Sequence, residues 1–465
     1  MSISFFIILW WVSVGETFGQ TEQPTDRNHA VQQIEWWVQT SQADWMRGSV
    51  ERINRRLLDA VGNPLNYDDH DAGAMKLSSR PGQFKRINED GGLILKRATI
   101  PSVIKDPRKG RYLMVYMYVE DLYYAVSKDG VEWKSKGKLN IQNERYEADP
   151  TLIYDGEKFR LWYGDINWHD VFDIMYTESA DFIHWTKPRV VMEGKKNTPE
   201  RFLGIHPVLY LGKPVDTWTE ADHELEGGFA MIYTADNGTN ESWQLFAAYS
   251  SDGVQWQKAN HSIGMHSNLS GDIPTSMYSP TLLYDGEKVT MVYGADRGSK
   301  RWQVEMATSE NLISWQITNE QLLEASDGWD SDTEICCGHL MYDGDEYKYY
   351  YTGWYEGIGL AVAKAIYERN GVFTSEVFDA KELVKWKYAE IEASLPEATQ
   401  MAVFTRTSVD GAQWSGWEML EADERIASPQ GRYLQYRIEL KTESYRVSPI
   451  LNELRFGFIR PAQTR

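Results

Sequence analysis

Two cysteines in 465 residues are few, and the two are neighbours, Cys336 and Cys337. Adjacent cysteines cannot take ordinary disulfide geometry without straining the peptide between them, so no disulfide framework holds this chain. Two readings stay open: a pair of small buried hydrophobes, or a strained vicinal ring. A Cys–His zinc site is not expected, since no second cysteine cluster exists. Positive charge is also short, with 48 Lys and Arg against 68 Asp and Glu and a formal net charge of −20. That balance argues against nucleic acid or an anionic membrane as partner. Long apolar runs are missing as well. The one run, Phe5 to Val14, is too short to span a bilayer as a helix.

That run lies in "MSISFFIILWWVSVGETFGQ", where Thr17 and Gly19 are small residues at peptidase spacing, although no basic segment precedes it. Residues 1–20 read as a secretory signal, and the expected location is secreted or periplasmic, with no membrane span. The length suggests two or more domains. Aromatics are abundant, with 19 Trp and 27 Tyr. Such rings fill cores and also stack on the apolar faces of sugars.

A long internal period organises the middle of the chain. Ser-x-Asp/Asn-x-x-x-Trp occurs at Ser127–Trp133, Ser179–Trp185, Ser250–Trp256 and Ser309–Trp315. An alternating strand precedes each, and upstream lies a strand pair such as "PTLIYDGEKFRLWYG" or "PTLLYDGEKVTMVYG". The Asp-Gly turns supply the positive φ of a tight hairpin, and β-branched and aromatic residues flank them. A third copy, "HPVLYLGKPVDTW", carries an insertion in that turn. Units of four short antiparallel strands, repeated radially, make a propeller. The expected fold is all-β: a five-bladed β-propeller over 91–370, an N-terminal helical segment over 21–90, and a C-terminal β-sandwich accessory domain over 371–465. The helix is read from apolar residues at helical spacing, Ile34, Trp37, Val38, Trp45, Val50, Ile53, Leu57 and Leu58.

Aligning the copies on their Pro-x-apolar-apolar register makes Ile100, Asp149, His206, Ser279 and Cys337 equivalent. The strand interiors agree while these five differ. In a propeller the innermost strands start at one mouth, so unlike residues there point to a shared pocket with divided roles.

The "ADP" before "TLIYDG", with strands of the "YAVSKDGVEW" type, resembles the glycoside hydrolases of families 43, 32, 68 and 117. The resemblance covers about 91–370. It implies carboxylates on innermost strands: one in the first blade, one in an Asp-Pro motif, and a Glu that protonates the leaving oxygen. Asp149 matches the Asp-Pro motif, and Glu334 in "TEICCGHLMYDG" matches the acid two residues upstream of its expected place. His206 is a rival acid, as in family 117. Thr99 and Ile100 stand where the first-blade Asp is expected. Substrate contacts are expected from Glu147 and Arg145 and from the mouth loops carrying Asp165, Trp168, Asp236, Arg297 and Trp354. The implied activity is a secreted glycoside hydrolase acting on a plant or algal poly- or oligosaccharide. A non-catalytic carbohydrate-binding propeller is the alternative. No cofactor or metal ligand set is indicated, and the sequence leaves a bound calcium ion open.

Overall fold

The structure is a computed structural model. It describes residues 34–461 apart from 41–43, 46, 55–73, 89–90, 107, 142–145, 168–170, 213–227, 237–243, 268–272, 275, 299–301, 319, 327, 331–334, 344–345 and 354–355. The described residues are almost entirely β-strand.

Five antiparallel strand pairs recur where the repeats predict them. Their first strands are Thr99–Asp106, Tyr146–Tyr154, Val208–Gly212, Ser276–Tyr284 and Ile335–Asp343. Each pairs with the strand that follows it, and that strand pairs with a third. Each first strand packs against the next, and the last packs against the first, so the five form a closed ring. The hairpins close as their residues require. Asp155 Oδ1 accepts the N–H groups of Glu157 and Lys158 at 3.0 and 2.9 Å, and Gly156 sits at φ 96°. Asp285 and Gly286 repeat the arrangement.

The Ser-x-Asp/Asn-x-x-x-Trp pattern is a self-capped turn. Ser127 Oγ accepts the N–H of Gly130 at 2.9 Å, Asp129 Oδ1 accepts those of Val131 and Glu132, and the Trp133 indole donates to the Gly130 carbonyl at 3.1 Å. The same turn lies in the C-terminal sheet at Ser408 and Asp410. In the ring, its carbonyls receive hydrogen bonds from the preceding unit. Tyr350 of the fifth unit donates to Gly130 of the first at 2.9 Å, and Arg108 of the first donates to Ala180. Trp162 donates to Gly253, and Tyr249 to Asn311, each at 2.9 Å. The turn tryptophans pack across the same joints. Trp133 meets the Tyr350 ring edge-on, and Trp315 is fully buried in the core between the third and fourth units.

The fifth unit borrows its outer strands from the chain that precedes the first. Ser79–Pro81, Lys85–Arg86 and Leu93–Lys96 all pair with Gly357–Tyr367. This corrects the expected boundary at residue 90. The N-terminal helical segment expected over 21–90 is also corrected, so far as its residues are described. Glu35–Gln39 is a strand pairing with Ile450–Ile459, Ser49–Glu51 pairs with Asn370–Thr374, and Ile53–Asn54 pairs with Met75–Leu77. Trp36-Trp37-Val38 are strand formers, and inside and outside alternate through them: Trp37 and Gln39 are buried while Val38 is exposed. A period of two with an edge to pair against outweighs a loose helical spacing.

Beyond the ring, the long strand Phe378–Ser394 pairs first with Gly431–Thr442 and then with Ile450–Ile459, joining two packed layers. Trp37, Leu454 and Phe456 of one layer meet Phe373, Tyr436 and Ile438 of the other. The same apolar core continues without a break into Tyr349, Tyr351 and Ala361 of the fifth unit.

That continuity yields a prediction. Deleting residues 371–465 strips the partners of Trp37 and Phe84's core, and each large side chain re-exposed costs about 1.5–3 kcal/mol. The truncated chain is expected to be insoluble or to lack a cooperative melt. A soluble truncation melting within about 5 °C of the full chain would show instead that the ring stands alone.

Candidate functional site

Four of the five aligned residues share one unusual backbone state. Ile100, Asp149, Ser279 and Cys337 have φ of 51°, 50°, 56° and 52°. In each case the ladder register shifts at that point, a bulge at the start of the inner strand. Non-glycine residues there cost of order 1–2 kcal/mol each, more for β-branched Ile100. Strain of this kind, repeated around one mouth, marks a place where the fold aims side chains. Position 206 reaches the ring differently. Ile205–Pro207 joins the strand Phe202–Gly204 to the inner strand, and its carbonyls accept from Thr234 and Ile232.

The ring encloses a pocket of about 560 Å³ lined by Arg97, Thr99, Met117, Tyr118, Val119, Tyr146, Tyr278 and Thr352, with Ile100 and Cys337. A narrower cavity of about 50 Å³ shares Ile100 and Cys337 and contains Asp149, Ile205 and His339. Ile100, Cys337, Ile205 and Tyr278 form an apolar patch between them. The two cysteines are buried free thiols, and Ser279 Oγ lies 3.1 Å from Cys337 Sγ. One side of the mouth is therefore greasy and the other polar.

Asp149 belongs to the polar side. Its Oδ2 accepts the Ile205 N–H at 3.2 Å, and Gly164 leaves room beside it, since a Cβ there would sit 3.7 Å from the same oxygen. Burial pushes the Asp149 carboxyl up to about 6, against the smaller pull of that hydrogen bond. His206 is fully buried, and burial pushes it down to about 3. Neither ring nitrogen reaches a partner in hydrogen-bond geometry among the described residues, although the Trp162 backbone lies near enough to favour the charged form slightly. His206 is thus neutral near pH 7, which weighs against a proton-donor role. Thr234 Oγ1 is buried without a partner among the described residues.

Glu147 lies off the pocket. It is fully buried, its N–H donates to the Glu120 carbonyl, and its Oε2 accepts the Leu122 N–H, each at 3.0 Å. Those contacts clasp the first unit's turn at Tyr118 and Val119, which are pocket wall, so Glu147 acts by positioning. Burial raises it to about 7, with the Leu122 hydrogen bond opposing. Asp165 pairs directly with Glu147 and with Asp173 across the sheet and is fully buried. Asp236 is buried opposite Phe202. Arg297 holds Glu305 with two hydrogen bonds of 2.6 and 2.8 Å. None of these three lines the pocket described here. Arg145, Trp168, Glu334 and Trp354 lie outside the described residues, as do residues 1–33 with the expected signal. Tyr118, Tyr146, Tyr278 and Arg97 were not anticipated, because their repeat equivalents carry no shared chemistry. Among the described residues no group of three or more His, Cys, Asp or Glu is placed to hold a metal ion, and no helix is long and apolar enough to cross a membrane.

The chain matches no family model and no curated protein. Among solved structures it is similar to a glycosyl hydrolase from Bacteroides ovatus, at 15% identity and TM-score 0.46, covering 62% of this chain and 96% of that one. An endo-arabinase from Bacteroides thetaiotaomicron matches at 13% identity and TM-score 0.42, covering 60% and 98%. A thermostable family-43 glycoside hydrolase matches at 13% identity and TM-score 0.43, covering 61% and 92%.

The two raised carboxyls carry a stability prediction. The native state holds protons on Asp149 and Glu147 that the unfolded chain releases near pH 4, so stability falls as pH rises from about 4 to about 7. Melting temperature should drop between pH 5 and pH 8, and Glu147→Gln should flatten that drop while retaining the bond from Leu122. An unchanged slope in the variant would show that Glu147 does not hold its proton in the fold.

Proposed function

We propose that this chain is an exported glycoside hydrolase built on a five-bladed β-propeller. We read its substrate as a plant or algal poly- or oligosaccharide bound at the mouth of the ring, in a secreted or periplasmic setting. One observation carries the reading: a carboxyl raised to about 6, Asp149, lines a narrow cavity that shares Ile100 and Cys337 with a tyrosine-walled pocket, at a strained position in the inner ring. A group titrating near 6 can both give and take a proton close to neutral pH. Tyr118, Tyr146 and Tyr278 supply flat apolar faces and hydroxyls, as a sugar ring requires.

Glycoside hydrolysis needs a proton on the departing oxygen and a carboxylate that activates water or attacks the sugar. Asp149 fills one of these roles. Glu334, which directly precedes the fifth inner strand, is the candidate for the other. Glu147 keeps the Tyr118–Val119 wall in place, and the apolar floor of Ile100 and Cys337 excludes water from one side of the bond. That floor also favours a second reading. Two of the five ring positions bring apolar side chains where a hydrolase would be expected to bring carboxylates, as a non-catalytic carbohydrate-binding ring would allow.

Release of reducing sugar from a panel of plant and algal polysaccharides separates the readings. Asp149→Asn should lower kcat by a factor on the order of 10² or more while sugar binding persists. Binding without release by the unmodified chain would select the second reading. Near-normal rates in the variant would remove Asp149 from the chemistry.

A further inference from the structure

The outer face of the C-terminal sheet carries a stack in which aromatic and guanidinium groups alternate. Trp414 lies 4.8 Å from Arg406, Arg406 4.6 Å from Trp417, Trp417 5.2 Å from Arg437, and Arg437 4.8 Å from Phe404. The register builds it: Phe404 pairs with Arg437 and Arg406 with Gln435 on adjacent strands, while the alternate residues Val403, Thr405, Leu434 and Tyr436 point into the core. The rungs are half-buried, and Met419 beside Phe404 is exposed.

The charge on this face is out of balance. Arg406 donates twice, at 3.0 and 2.6 Å, but both bonds go to the neutral Gln435 Oε1. No carboxylate lies within ion-pair distance of it among the described residues. Arg437 pairs with Glu439 at 3.0 Å, its Nε is buried without an acceptor among the described residues, and Lys441 shares the same Glu439 at 3.6 Å. Two cations thus share one carboxylate, and Arg406 stands beside them with a neutral partner. Burial, and after it the neighbouring Arg437 charge, pull Arg406 below the usual guanidinium value. A chain with 68 acidic residues could readily supply a counter-ion, yet this face has none at Arg406.

We propose that the Trp414–Arg406–Trp417–Arg437–Phe404 face binds a polyuronate, a polysaccharide bearing a carboxylate on each sugar. A planar carboxylate fits the guanidinium fork with two parallel hydrogen bonds, which a lysine face could not offer. The apolar face of a sugar ring stacks on an indole edge of the same ladder. A polymer with a charge on every ring meets both guanidiniums while its rings meet the intervening aromatics. The proposal stands apart from the mouth pocket and does not need it to be catalytic.

The test is affinity electrophoresis of the full chain in gels containing polygalacturonate, the same polymer fully methyl-esterified, or dextran sulfate, each scored against a polymer-free gel. Polygalacturonate should retard the chain, increasingly so as salt is lowered, and the ester should not. The double variant R406Q/R437Q should bind polygalacturonate roughly tenfold more weakly. Should that variant fail to fold, R406K retains the charge and the stack's bulk but loses the fork, and weakened retardation in a normally melting R406K supports the proposal equally. No retardation by polygalacturonate, equal retardation by the ester, stronger retardation by dextran sulfate, or undiminished binding in a folded variant would each overturn it.

Discussion

Closure of the ring is the constraint on which everything else rests. An open row of sheets would leave the fifth unit's outer edge and the first unit's turn exposed, with unpaired backbone groups at the edge. Closure is made twice over. Residues 79–96 supply the fifth unit's outer strands before the chain starts the first unit, and Tyr350 donates to the Gly130 carbonyl across the joint. Neither contact involves a disulfide. Four of the five joints instead reuse one device, a Ser–Asp/Asn–Trp turn whose carbonyl is offered to the previous unit. Each such bond is worth only about 1 kcal/mol net, so the ring depends on their repetition together with the buried tryptophans and tyrosines between units.

Closure also makes the site. Five inner strands that must converge bring their first residues to one mouth whatever those residues are. The bulge then turns Ile100, Asp149, Ser279 and Cys337 out of the ladder at φ near 50°. Because the strand interiors and turns hold the joints, the mouth positions are released from packing duty. They can differ without loss of the ring: an apolar pair on one side, and an acid with a neutral imidazole on the other. Local strain at the mouth is tolerated because the joints around it over-determine the backbone.

Much of this was legible in the repeats. The Asp-Gly turns, the Trp-ended turns and the Pro-x-apolar register predict the strand pairs and align five residues, four of which share one backbone state. The reason is physical, since turn chemistry and period-two patterning are local. What was not legible depended on distant pairing. Trp36-Trp37-Val38 has apolar neighbours at helical spacing, and only the edge of Ile450–Ile459 decides that it is a strand. Residues 79–90 read as part of the N-terminal helical segment, and only the unfilled edge of Gly357–Tyr367 makes their strands part of the fifth unit. The site split the same way. Asp149 was visible because its repeat partners differ at one aligned position. Glu147's grip on Leu122 was not, because it crosses between units. The tyrosine wall was hidden too, since tyrosine is common throughout this chain.

The electrostatics of the mouth follow from the same division of labour. A chain of net charge −20 would be expected to keep its acids in water, yet Asp149 and Glu147 are taken inside and raised toward neutrality. Burying an ionised carboxylate without a cation is costly, and holding a proton is the cheaper outcome. The fold therefore stores protonated acids beside an apolar floor, and it does so at the cost of stability as pH rises. The two sites differ in what their burial achieves. Glu147 spends it on fixing a wall, because its Oε2 is committed to a backbone N–H of the neighbouring unit and the residue lines neither cavity. Asp149 accepts the Ile205 N–H and lines the narrow cavity that adjoins the pocket. Of these two raised carboxyls, Asp149 is the one that reaches a cavity, which is a condition a proton-transfer group must meet.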